Sequence, residues 1–110
     1  MGKLSKHPAV EDDLAEIFAY IAHRSGYPEI ALEVYDTIAA SFQQLANNRF
    51  LGRAYQTGIP ELEGLQRFLV QRYKRRYHVF FMRTEDEVRI LYVYHHARDI
   101  PERMAEDQRS

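Results

Sequence analysis

The sequence contains no cysteine, which excludes both a disulfide framework and a thiolate metal site. No apolar run approaches the roughly 20 residues that a membrane span needs. The segment from Met1 to Pro8 also lacks the apolar core of a signal peptide. A soluble cytoplasmic protein with no membrane partner is therefore the expectation. A phosphate-cradling glycine loop, a nucleophile elbow, internal repeats and low-complexity tracts are all missing. The histidines do not compensate as metal ligands. His95 and His96 are neighbours on a strand and point to opposite faces, and neither His7 nor His23 has a second histidine at helical spacing. No metal and no cofactor are expected.

What remains is a chain of 110 residues and 13.0 kDa, enough for one domain spanning 1–110 with a single core. Its hydrophobic fraction of 45% belongs to a globular protein rather than a disordered one. The net charge of −1 conceals a segregation. Residues 1–48 hold three basic and seven acidic side chains, residues 49–83 eight and two, and residues 84–110 four and seven. So positive a middle block points to an anionic partner, a phosphate backbone or an acidic protein segment, unless it is only a solvated strand face.

Punctuation and periodicity predict an α+β fold. Pro8 suits the start of a helix, and Glu11, Asp12 and Asp13 fall where carboxylates meet the positive end of its dipole. Val10, Leu14, Ile17 and Ile21 form its apolar stripe, and Ser25-Gly26 stops it. Pro28 opens a second helix with Ala31, Val34, Tyr35, Ile38, Phe42 and Leu45 at the same spacing, ending near Asn47-Asn48. The two make an antiparallel helical hairpin over about 8–48 that needs a sheet to bury it. Residues 49–63 read as a loop with at most a turn of helix. The sheet follows at about 64–96, small, mainly antiparallel and three- to four-stranded if Lys3–Lys6 adds an edge. Its long strands are Arg67–Tyr73, Arg76–Arg83 and Val88–His95. Tyr77, Val79 and Phe81 alternate with His78, Phe80 and Met82, and the set Val88, Ile90, Tyr92 and Tyr94 is expected on one face of the last strand. A short charged tail, 100–110, forms a brief helix or frays.

The chemistry these residues support has two forms. Arginines and a histidine near one sheet face suit metal-free phosphodiester cleavage, which needs cations for the charged transition state and a proton acceptor for the attacking 2′-hydroxyl. The same arginines suit bidentate docking of an acidic peptide. Composition does not choose between them.

Several segments, in order, resemble the RelE/ParE toxin superfamily. Asp13-Leu14-Ala15-Glu16-Ile17-Phe18-Ala19-Tyr20-Ile21-Ala22 is similar to its D-L-x-E-I-x-x-Y-I-A helix. Leu51-Gly52-Arg53, Gly64-Leu65-Gln66-Arg67-Phe68 and Tyr77-His78-Val79-Phe80-Phe81 follow at matching places. Ile90-Leu91-Tyr92-Val93-Tyr94-His95-His96-Ala97-Arg98-Asp99 looks like the ParE-type I-L-x-V-x-H-x-x-R-D ending. The resemblance implies a toxin paired with a ParD-like or other DNA-binding antitoxin in a hetero-oligomer. ParE-like members block DNA gyrase by protein contact, and RelE-like members cut messenger RNA in the ribosome without metal. A non-toxic relative that only binds the antitoxin is a further alternative. Phe68-Leu69-Val70-Gln71 lacks the lysines of the nuclease branch, His78 stands where that branch has an arginine, and no tyrosine follows Asp99. The ParE-like reading follows, with no catalytic residues. Were the chain a nuclease, His95, Arg98, His78 and His96 would carry the reaction. The expected partner-binding residues are Arg67, Arg72, Lys74, Arg75, Arg76, Arg98 and Asp99.

Overall fold

The computed structural model describes residues 2–95 and 100–109. Helix α1 (Ala9–Ser25) starts directly after Pro8, whose φ of −53° is already helical. His7 Nδ1 accepts the Ala9 N–H at 3.1 Å, which satisfies one of the donors a helix start leaves open. The helix ends at Gly26, where φ of 75° lets the N–H turn back to the Ala22 carbonyl. Helix α2 (Pro28–Asn47) follows at once. The predicted stripes are buried at Val10, Leu14, Ile17 and Ile21 on α1 and at Ala31, Val34, Ile38, Phe42 and Leu45 on α2, while Tyr35 is only half-buried.

The sheet has five strands rather than three or four: β1 (Lys3–Lys6), β2 (Arg53–Ala54), β3 (Gln66–Arg72), β4 (Arg75–Arg83) and β5 (Glu87–Tyr94), in the order β1-β5-β4-β3-β2. The extra strands are short and depend on long-range partners. β1 lies parallel to β5 with Leu4 opposite Val88, and β2 is two residues set against Arg67 and Gln66. The remaining pairs are antiparallel. The segment 49–63 thus holds β2 and a 3-10 turn at Pro60–Leu62. Between β3 and β4 lies a two-residue turn in which Tyr73 (φ 53°) and Lys74 (φ 63°) both take left-handed conformations, the pattern that matches strand twist.

One expectation about faces is overturned. Phe80 pairs with Tyr92 but Phe81 with Ile90, so Leu91 is an extra residue in β5 and shifts its alternation by one. Val88 and Ile90 face the helical hairpin, and beyond the bulge it is Val93 that does so. Tyr92 and Tyr94 turn to the opposite face, where they pack with Phe80, Leu62 and Leu65. Helix α3 (Ile100–Arg109) covers that second face, burying Ile100 and Met104. The sheet is thereby sandwiched between two apolar clusters, and the tail is a helix.

Candidate partner-binding surface

The strand register decides which of the predicted cations share a face. Arg67 lies opposite Phe80 and Arg76 precedes His78 by two, so these point away from the hairpin. Arg72 and Arg75 share the helical side with Val70 and Tyr77. Arg67 packs its guanidinium 5.1 Å from the centre of the Tyr55 ring. Arg72 reaches back to α2, donating to Glu33 Oε2 at 3.1 Å, and the Tyr73 hydroxyl donates to the same oxygen. These two hydrogen bonds hold the Glu33 carboxyl below the usual carboxylate range, Tyr73 contributing most. Lys74 is exposed at the turn. Arg75 lies 5.9 Å from the Tyr20 ring centre on α1. His96, Arg98 and Asp99 lie outside the described residues.

The two described histidines of the predicted nuclease set are not brought together. His78 is 6% exposed and stacks on Phe80 with ring centres 6.3 Å apart, on the face away from the hairpin. Its Nδ1 is buried without a hydrogen-bond partner. Burial pushes the imidazole below its ordinary value, and Arg67 and Arg76 push it the same way. His95 packs against Tyr20 of α1 with ring centres 5.2 Å apart, on the hairpin side. The sheet separates them, so each histidine has the other's face out of reach.

Two features could receive a partner segment. β2 covers only Arg67 and Gln66 of β3, so from Phe68 onward no described strand pairs the outer edge of β3. Beside that edge runs a groove of about 470 Å³, walled by Asp36, Thr37 and Ala40 of α2 and by Phe68, Leu69 and Gln71. Phe68 and Val70 direct their side chains to this groove, while Leu69, 42% exposed and paired with His78, offers an apolar side chain on the sheet's other face.

Two residues that sequence reasoning passed over hold this surface in place. Helix α2 has no basic residue in its last turn, and Arg83 from β4 supplies the missing cation. It donates to the carbonyls of Leu45 at 2.9 Å, Asn48 at 3.3 Å and Leu51 at 3.3 Å. Asp13, read only as a dipole partner, accepts the Val93 N–H at 3.0 Å just past the bulge, where the strand ladder is disrupted. The acid's place in the first turns of α1 explained only a favourable charge at the helix dipole, and nothing local pointed to β5. Among the described residues, no cluster of histidine, cysteine or carboxylate could hold a metal ion, and no helix is long and apolar enough to cross a membrane.

Comparison with known proteins agrees with the resemblance. The family described as the ParE toxin of the type II toxin–antitoxin system, parDE, matches residues 4–100. Curated proteins yield no match. Eight solved chains match in fold. One of them, from the chromosomal ParDE system of P. aeruginosa, is 23% identical with a TM-score of 0.70, over 86% of this chain and 96% of its own. The family match takes in the helical hairpin and all five strands, so the chain belongs to the ParE toxins of type II toxin–antitoxin systems.

Proposed function

We propose that the protein arrests growth by binding DNA gyrase, as a partner rather than as a hydrolase, and that an antitoxin neutralises it. The observation that carries this reading is the separation of His78 and His95 by the sheet, together with a basic turn at Lys74-Arg75-Arg76 whose side chains are exposed. Metal-free RNA cleavage needs a proton acceptor and cations converging on one scissile phosphate. Contact inhibition needs only a rigid, charged presenting surface.

The antitoxin's place in this reading is the open edge of β3 and the groove beside α2. An extended segment adds backbone hydrogen bonds along Phe68–Arg72, and its apolar side chains fill the groove next to Phe68 and Val70. Such a segment gains its order on binding.

The test is induction without antitoxin, with DNA and protein synthesis followed in parallel. Filamentation, a DNA-damage response and early loss of DNA synthesis are expected. Uninterrupted DNA synthesis in arrested cells would sink the gyrase reading. The alternative, a ribosome-dependent messenger RNA endonuclease, draws on one observation: His78 sits beside Arg67 and Arg76 in a setting that keeps it neutral at pH 7. It predicts translation lost first, and it fails where the His78→Ala and His95→Ala variants keep full toxicity. For the antitoxin, Leu69→Asp is expected to weaken binding by about tenfold or more, since a strand added along β3 meets Leu69 on the face away from α2 and would find a charge in place of an apolar neighbour.

A further inference from the structure

At the end of the molecule that carries the β3–β4 turn, the hairpin and the sheet enclose a small cavity of about 180 Å³. Its walls are Ile21, Ile30 and Val34 from the helices, and Arg24, Arg75 and Tyr77 bring polar atoms. Ile21 and Val34 are buried core side chains, so the floor is apolar. Both arginines approach Tyr20, each with its guanidinium carbon 5.9 Å from that ring's centre.

Three properties of this cavity need a common explanation. First, the polar groups it leaves without a protein acceptor can all donate, since Ser25 and Tyr73, which also line it, are engaged with Tyr27 and Glu33. Arginine has no acceptor at all, and the Tyr77 hydroxyl is buried without a hydrogen-bond partner although Tyr77 is 1% exposed. A buried hydroxyl left unpaired is costly, and such groups in folded proteins call for a reason. Second, Glu33, which the lining residue Tyr73 contacts, is already engaged, because Arg72 and Tyr73 both hold it. Among the described residues neither Arg24 nor Arg75 has a carboxylate within ion-pair distance. Third, the size is well below the roughly 300–1,000 Å³ of a drug-sized site, so the occupant is a single small group.

We propose that this cavity binds a carboxylate carried on a short aliphatic stem, with the carboxylate between Arg24 and Arg75 and the stem on Ile21, Ile30 and Val34. A carboxylate is acceptor-only and can take both a guanidinium pair and the phenol proton. The apolar floor selects against phosphate, whose strongly hydrated oxygens gain nothing from aliphatic walls. Arg75 is exposed, lies two residues from Tyr77 on the same face, and borders the cavity together with it. The chemistry has two sources, a free short-chain acid or the glutamate side chain of a protein partner. This site is separate from the β3 edge and stands whether or not the toxin acts on gyrase.

The experiment is a methyl and amide NMR titration of the whole chain with butyrate, its neutral isostere butyramide, inorganic phosphate and a capped glutamate. Saturable shifts at the methyls of Ile21, Ile30 and Val34 are expected with butyrate. Butyramide and phosphate should bind about tenfold or more weakly, as the loss of a charge-assisted contact implies. Arg75→Ala and Arg24→Ala should each weaken butyrate by about tenfold or more, while Tyr77→Phe, which keeps the ring, weakens it by a few-fold to tenfold. Tighter binding of capped glutamate than of butyrate assigns the source to a protein partner, and the reverse order assigns it to a free acid. The proposal is overturned by equal affinity for phosphate or butyramide, by shifts that miss these methyls, or by both arginine variants binding as the parent does.

Discussion

Replacing Gly52 by alanine tests the packing of the whole lower sheet. Gly52 has φ of +94°, a conformation that costs a side-chain-bearing residue about 1–2 kcal/mol. The second cost is contact. A β-carbon built there falls 2.4 Å from Cζ and 3.0 Å from Cε1 of Phe81, and 3.2 Å from the Gln66 side-chain oxygen. Phe81 is wholly buried against the hairpin and cannot swing outward, so relief requires displacing β4 or the 51–53 segment. Overpacking of this kind costs about 1–3 kcal/mol. Together the change should destabilise by about 3 kcal/mol, or about 10–20 °C in melting temperature for a domain of this size. Chemical denaturation with an unchanged m-value is the assay. A double-mutant cycle with Phe81→Leu separates the terms: it should recover the contact part and leave the backbone part. A loss below about 1 kcal/mol in Gly52→Ala alone would refute the reasoning.

Three other outcomes follow from the same geometry. Lys74→Gly should stabilise the fold by about 1 kcal/mol in urea titrations, because Lys74 has φ of 63° and glycine takes that conformation freely; a destabilisation would contradict the turn. Asp13→Ala should cost about 2 kcal/mol by leaving the Val93 N–H without its charged acceptor, and it should raise amide exchange at Val93 above that of its neighbours. For His78, the folded imidazole takes up its proton at lower pH than the ordinary 6.5. Below pH 6.5 the unfolded chain therefore binds a proton that the folded chain refuses. Stability is full above this value and falls with acid at up to about 1.4 kcal/mol per pH unit, until the folded histidine protonates in turn. His78→Phe should flatten this part of the profile. The contribution of Glu33 is present above the ordinary 4.5 and is lost as the solution is acidified below it, since its carboxyl is held below that value.

The helices were readable because their ends are punctuated. Pro8, Gly26 and Pro28 each do something locally that only their residue type does well, and no distant partner is needed to interpret them. The three long strands were placed within a residue of their bounds for the same reason. The phase of β5 was not readable. Leu91, Tyr92, Val93 and Tyr94 are all apolar, so an alternation rule finds a good face in either register, and only pairing with β4 reveals the bulge. β1 and β2 are too short to carry a period and exist through their partners. Periodicity does not decide whether the charged tail forms helix α3 or frays, because its buried anchors among the described side chains, Ile100 and Met104, are sparse in a run of charges. At the candidate surface, the sequence located the cations but not their division between faces. It also could not see that Arg83 and Asp13 act on backbone atoms 38 and 80 positions away in the chain.

The bulge at Leu91 constrains how this chain can vary in length. Upstream of it β5 belongs to the hairpin's core, and downstream its tyrosines belong to the core under α3, so one strand is shared by two interiors in opposite phase. Deleting Leu91 would join Ile90 to Tyr92 in plain alternation, giving a more regular ladder that still turns Val93 to the hairpin and Tyr92 and Tyr94 to α3. Substitutions at position 91 itself, which is only partly buried, should be absorbed with little loss. Between Ile90 and Tyr92 the chain should therefore tolerate a loss as well as an exchange, whereas an added residue would enlarge the bulge or displace Tyr92 and Tyr94 from Phe80 and His78.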